Sequence, residues 1–252
     1  MMSLRPKSSI VKSLILSGVV FCVLTSCASS TKYTTVRSLA YSKMNLNNQI
    51  YLKEDGRFVP YLVFKYYQPD TVLLLREQIL EQKFQYAEDA IFGSGVSYYA
   101  NGLIDSYLNQ IFIDSLSERL KQNLVFVDLE ITSEDTVLRG DNRRNTETIQ
   151  RKIFLLSATE HGERSSMLTV EGKKIEGLEF YLTSDMDKEW LRSSSLWDDV
   201  HAWALSDEFT GTENVTETLG IRPAFVLKAN TPIEARNDII EGSRVYTLSF
   251  DT

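Results

Sequence analysis

Cysteine is nearly missing from this chain, and the shortage excludes much. Of 252 residues only Cys22 and Cys27 are cysteine, and Cys22 lies inside an apolar leader. The remaining chain therefore holds one thiol, which permits no disulfide and no Cys-based metal site. Histidine is equally scarce, at His161 and His201. There is no H-E-x-x-H, no P-loop, no dinucleotide fingerprint and no G-x-S-x-G nucleophile elbow. Positive charge is also short, with 27 Lys and Arg against 34 Asp and Glu. Three of those cations, Arg5, Lys7 and Lys12, precede Cys27, so 27 less three against 34 puts the chain from Cys27 onward at about −10. That balance argues against nucleic acid as a partner and against an electrostatic grip on anionic lipid.

What stands at the start is a targeting segment. Arg5, Lys7 and Lys12 lead into an apolar stretch from Leu14 to Leu24. That is the length of a signal-peptide core; a spanning helix needs about 20 apolar residues. Leu24, Thr25, Ser26 and Cys27 follow. A branched apolar residue, two small residues and a cysteine resemble the bacterial lipobox. The resemblance implies diacylglycerol on the Cys27 thiol, cleavage before it and acylation of the new amino group. Two or more acyl chains anchor firmly where one does not. The expectation is a signal peptide over 1–26 and a lipid-anchored chain on the cell membrane or outer membrane, facing periplasm or exterior.

Residues 27–50 are rich in Ser, Thr, Asn and Lys and read as a flexible tether. Residues 51–252 read as one domain, with enough chain to bury its own core. Phe58 to Tyr67 and Thr71 to Leu75 predict two strands around the turn Gln68-Pro69-Asp70. Ile104, Tyr107, Leu108 and Ile111 predict one buried helix face; Asp114-Ser115 can cap a second short helix carrying Leu116 and Leu120. Leu124 to Ile131 reads as a strand, Ser133 to Thr148 as an exposed loop, and Ile149 to Ser157 as strand or strand entry. Trp190 to Ser193 and Trp197 to Leu205 read as core segments, Ser206 to Thr218 as polar connection, and Gly220 to Lys228 and Arg244 to Phe250 as strands. Helices gather near the middle, without repeated βα units, which points to α+β architecture.

Three stretches together resemble a known family: "SYYANGLIDSYLNQIF" followed by "LVFVDLEIT", "TIQRKIFLLSATEHG", and "EWLRSSSLWDDVHAWAL" followed by "LGIRPAFVLK". In this order they are similar to an uncharacterised bacterial domain of unknown function found in surface, lipoprotein and phage-associated chains. Its members carry "vFLLS", then "WWLRSP", then "GVRPAF". The resemblance covers about 58 to 230. Glu189 stands where the family has a first Trp, Ser194 where it has Pro, and Leu205-Ser206-Asp207-Glu208 where it has "NSDG". The WLR…G-x-RP layout is also similar to C-type-lectin-like and formylglycine-generating-enzyme-like domains. That implies a compact, C-type-lectin-like α+β domain with a central helical region packed on mixed or antiparallel strands. The copper-binding cysteines that formylglycine generation needs are absent.

Trp190, Arg192, Gly220, Arg222 and Pro223 are the most motif-like positions and read as framework. An Arg pair receiving an anion is the functional alternative. Trp197, Asp199, His201 and Trp203 are the candidate ligand-binding residues. If 197–205 is a strand, Asp199 and His201 share one face, a carboxylate orienting an imidazole. Asp185, Asp187 and Glu189, and Asp207, Glu208 and Glu213, offer oxygens to calcium without the spacing of a calcium loop, and read as solvated loops. The expectation is a non-catalytic domain without metal or cofactor, binding a cell-surface glycan or protein through loops within 193–219. The rivals are an envelope hydrolase using Asp199 and His201 and a self-associating envelope protein.

Overall fold

The computed structural model describes residues 33–46, 48–139, 144–181, 188–206, 210–240 and 243–251. These belong to one compact unit that begins at Tyr33. It is a mixed α+β domain, mostly strands with short helices.

The main sheet runs β1 (Gln49–Glu54), β2 (Arg57–Lys65), β3 (Thr71–Arg76), β10 (Ala224–Lys228) and β6 (Ile153–Phe154), in that spatial order and with every neighbour antiparallel. A two-residue Asp55-Gly56 turn, both residues at positive φ, closes the β1–β2 hairpin. Pro60 sits where the β2–β3 ladder ends, so its missing N–H breaks no pairing there. Tyr61, Val63, Phe64, Leu73 and Phe225 are fully buried on this sheet, and the Tyr61 and Phe225 rings lie 5.2 Å apart.

The helical region is α2 (Leu103–Tyr107), a π-turn over Leu108–Phe112, α3 (Ile113–Ser115) and α4 (Glu118–Asn123). The π-turn inserts an extra residue into the repeat. The buried row therefore runs Ile104, Leu108, Phe112, Leu116 and Leu120. Ile111, expected on the buried face, is 62% exposed. The second helix is capped by Ser117, whose hydroxyl accepts from the Leu120 N–H, and not by Asp114-Ser115.

Two expected loops are structured. Within 133–148 lies α5 (Glu134–Arg139), with Thr136 and Val137 buried, followed by β5 (Thr146–Arg151), which pairs with β4 (Val127–Thr132). Within 206–218 lies β9 (Thr210–Asn214), the edge of a three-stranded sheet with β7 (Glu189–Ser194) and β8 (His201–Leu205). β9 is an edge strand with no buried residue, and the first half of β5, residues 146–148, is polar, so neither stretch carries an apolar period of two; Ile149, where the strand reading begins, packs against the core.

Part of the stretch expected as tether over 27–50 is packed into the domain. Val36 and Leu39 of α1 (Val36–Leu39) are completely buried, and the Val36 and Arg37 N–H groups donate to Thr231 and Ala229. The Ile233 N–H answers by donating to Thr34 at 3.1 Å, at the start of β11 (Ile233–Ile240), which pairs with β12 (Ser243–Leu248). The remaining helix is α6 (Ala158–His161).

Candidate functional site

Strand β7 departs from regular pairing in a way that sets the site. Trp190 opposes Ala204 and Ser194 opposes Ala202, so the stretch between them bulges out of the ladder. A bulge re-aims side chains. Here all six residues of β7 end up buried, Arg192 among them at 0% exposure.

The Arg192 guanidinium meets its charge partner inside. Its Nη1 donates to Glu160 Oε2 at 2.6 Å and to the Leu155 carbonyl at 2.8 Å, and its Nε to the Glu130 carbonyl at 3.3 Å. Nη2 is buried without a partner. Glu160 is itself the third residue of a capping box: the Ser157 N–H donates to Glu160 Oε2, and the Glu160 N–H to the Ser157 hydroxyl. The Tyr67 hydroxyl donates to Glu160 Oε1 at 3.0 Å. A second buried carboxylate, Glu171, accepts from the Thr132 N–H and hydroxyl at 2.6 Å and from the Ser193 hydroxyl at 2.5 Å. Burial raises the Glu171 pKa from the usual carboxylate range, against the opposing pull of Arg192 and these hydrogen bonds.

The other motif positions also face inward. Trp190 is buried; its indole N–H donates to the Phe84 carbonyl at 2.9 Å and its ring meets Tyr86 edge-on. Arg222 donates from Nε to Glu189 Oε2 at 2.8 Å and from Nη1 to the Glu77 carbonyl at 2.8 Å. Glu189, standing where a tryptophan was expected from the resemblance, is thus the buried counter-charge of Arg222. At Gly220 an added Cβ would lie 2.9 Å from Ile79 Cδ1, and the Trp190 N–H donates to the Gly220 carbonyl. Pro223 follows, its carbonyl accepting from the Arg76 N–H at 3.0 Å. His161 ends α6 with its Nδ1 enclosed and unpaired. Burial first, then the charges of Arg222 and Arg192, lower its pKa to about 3.

The four candidate ligand residues are not brought to one face. β8 starts at His201, so 195–200 is a loop and the strand geometry that would align Asp199 with His201 does not occur. Asp199 is buried, accepting the Gly95 N–H at 2.7 Å, while its carbonyl accepts from Ser97. The carboxylate that meets His201 is Asp198, at 2.7 Å from Nδ1. Among the described residues no hydroxyl or thiol bonds to the other imidazole nitrogen, so the pair has no nucleophile beside it. Trp203 is buried against Leu168, Leu191 and Leu205. Trp197 is the outward residue, 73% exposed.

The loop that carries Trp197 is well held. The Trp197 N–H donates to the Ser195 hydroxyl, the Val200 N–H to Asp198 Oδ1, and the Leu196 N–H to the Met167 carbonyl. Through Asp199 it is tied to the segment before Gly95, where Ile91 and Phe92 are also exposed. The sequence reading missed this link, which the long-range bonds of Gly95 and Ser97 to Asp199 reveal. Surface concavities of about 420, 460 and 400 Å³ lie elsewhere, and none of the three is lined by the four candidates.

Cys27, Asp185, Asp187, Asp207 and Glu208 lie outside the described residues. Glu213 pairs with Lys188. Among the described residues no group of three or more His, Cys, Asp or Glu is placed to hold a metal ion, and no helix is long and apolar enough to cross a membrane.

No curated protein and no solved structure matches the chain. A family model, that of DUF6273, a domain of unknown function, matches residues 69–229. That span runs from the turn before β3 through the end of β10 and includes every motif position described above. The chain belongs to the DUF6273 family.

Proposed function

We propose that this is a lipid-anchored envelope protein whose α+β domain, C-type-lectin-like in plan, binds a cell-surface glycan or protein without chemistry. The observation that carries the binding reading is Trp197, an indole left 73% exposed on a loop held by side-chain hydrogen bonds. Exposed aromatics on preorganised loops are the residues that dominate contact energies, because little entropy is lost when the partner arrives. Ile91 and Phe92, exposed four and three positions before the Gly95 that is bonded to Asp199, are taken as part of the same contact surface. The site therefore centres on 195–200 and 91–95 and not on the whole of 193–219, part of which is strand β9.

The anchor is Cys27, on the strength of the leader and the lipobox-like Leu24-Thr25-Ser26 before it. The hydrolase alternative draws on the Asp198–His201 pair, which orients an imidazole but serves no nucleophile among the described residues. The test uses a soluble Cys27→Ser chain without its leader. Retention on envelope fractions should be lost in Trp197→Ala and kept in His201→Ala, with both melting like the parent. Protease and glycosidase treatment of the fractions then tells a protein ligand from a glycan. Retention unchanged by Trp197→Ala would remove this site.

A further inference from the structure

We propose that the turn Ser42–Asn45, together with Leu46 and Phe180, is the face on which the domain rests against the lipid bilayer. The inference rests on the reading of Cys27 as lipid-modified and adds to it an orientation. Met44 is 99% exposed, Leu46 66% and Phe180 64%. Yet the backbone that presents them is firmly held. Ser42 and Asn45 exchange backbone hydrogen bonds, and the Asn45 amide donates to the Leu39 carbonyl at 3.1 Å. The Tyr181 hydroxyl donates to the Leu46 carbonyl at 2.9 Å. Phe180 stacks on Tyr41, ring centroids 6.1 Å apart, and Tyr41 is in turn buried. Gly177 lets Tyr41 lie there: at φ +89 its missing Cβ would stand 2.1 Å from the tyrosine ring.

The occupant follows from where the chain goes. The Tyr33 hydroxyl donates to Asn45 Oδ1 at 3.2 Å, so the first described residue touches this turn. Six residue steps separate Tyr33 from Cys27, a reach of about 20 Å even when fully extended. A lipid on Cys27 thus holds the turn within roughly that distance of the bilayer surface. The acidic balance of the chain gives anionic lipid no general attraction, which leaves apolar insertion as the available contact. Aromatic and apolar side chains over a tyrosine-rich base, here Tyr33, Tyr41 and Tyr181, suit the membrane–water interface. Three side chains bind weakly alone, but a short tether supplies an effective concentration in the millimolar range, so a weak contact is occupied.

The test replaces Cys27 with a polyhistidine tag at the start of the mature chain, which retains the whole compact unit from Tyr33. The chain is carried on phosphatidylcholine vesicles containing a nickel-chelating lipid. Met44→Cys then offers the single thiol for an environment-sensitive NBD fluorophore. Emission should rise severalfold and shift blue on the vesicles, unaffected by added salt. The exposed pair Leu46→Asp and Phe180→Asp should return it to the soluble value without changing the melting temperature. An unresponsive label, a response that survives the two aspartates, or a patch covered by a second copy in sedimentation would each overturn the proposal. Because the nickel tether replaces the acyl chains, the result is independent of whether Cys27 is modified. That is read separately, from the mass of the amino-terminal peptide of the membrane-extracted chain.

Discussion

At Arg192 the chain places a positive charge where no water reaches and surrounds it with Glu160 and two carbonyls, leaving Nη2 unpaired. Removing one member of such a pair strands the other. Arg192→Met should therefore cost about 3–5 kcal/mol in urea unfolding, and adding Glu160→Gln should recover part of it. His161 acts through pH. It is neutral in the fold, with a pKa near 3, whereas the unfolded imidazole takes a proton below about 6.5. The unfolded state then binds more protons, so stability is full above about 6.5 and falls as pH drops toward 3. Glu171, with its pKa raised, has the opposite sign and loses its contribution as pH climbs above the ordinary carboxylate range. Comparing His161→Gln with the parent isolates the histidine: the melting temperature of the variant should decline less between pH 6.5 and 4. Trp190, Arg192 and Arg222 could be singled out from the sequence because they cluster in short motifs. The pairings could not, because Glu160 and Glu189 lie 32 and 33 positions from Arg192 and Arg222, and although Glu189 stands in the same short motif nothing local marks either carboxylate as a buried partner.

Elements show the same division. β2, β3 and β10 are legible because aromatic and β-branched runs end at turn residues, and both faces of the runs are buried. Edge strand β9 and the polar first half of β5 are not, since they bury too little to leave a pattern; the strand reading from Ile149 caught only the second half of β5. α1 is a four-residue helix, shorter than one detectable repeat, so its two buried side chains passed as tether. A chain beginning at Tyr33 should melt with one beginning at Cys27. One beginning at Asn48 loses Val36 and Leu39 from the core and should be destabilised by at least about 3 kcal/mol, as measured by thermal or urea unfolding. Within the loop and strand after β7 the two tryptophans separate cleanly. Trp203→Ala opens a cavity and should cost about 3–5 kcal/mol. Trp197→Ala should stay within about 0.5 kcal/mol, the range of surface substitutions.

For the molecule as a whole, a buried framework of paired charges holds the DUF6273 core, and one loop leaves an indole in water. The α+β class was readable from the order of helical and strand segments, but the grouping of Trp197 with Asp199 and Trp203 was not. That grouping depends on where β8 begins, and a start at 201 in place of 197 turns two of the four side chains inward. Of the three tryptophans, Trp190 and Trp203 are buried and Trp197 is exposed, which makes iodide quenching of tryptophan emission a direct probe of the proposed contact. The measurement is the quenchable fraction of the Cys27→Ser chain, titrated with solubilised envelope glycan and with envelope protein. The account predicts that Trp197→Phe abolishes the quenchable fraction and that one of the two preparations shields it in the parent. Quenching that neither preparation changes would contradict the claim that Trp197 is the point of contact.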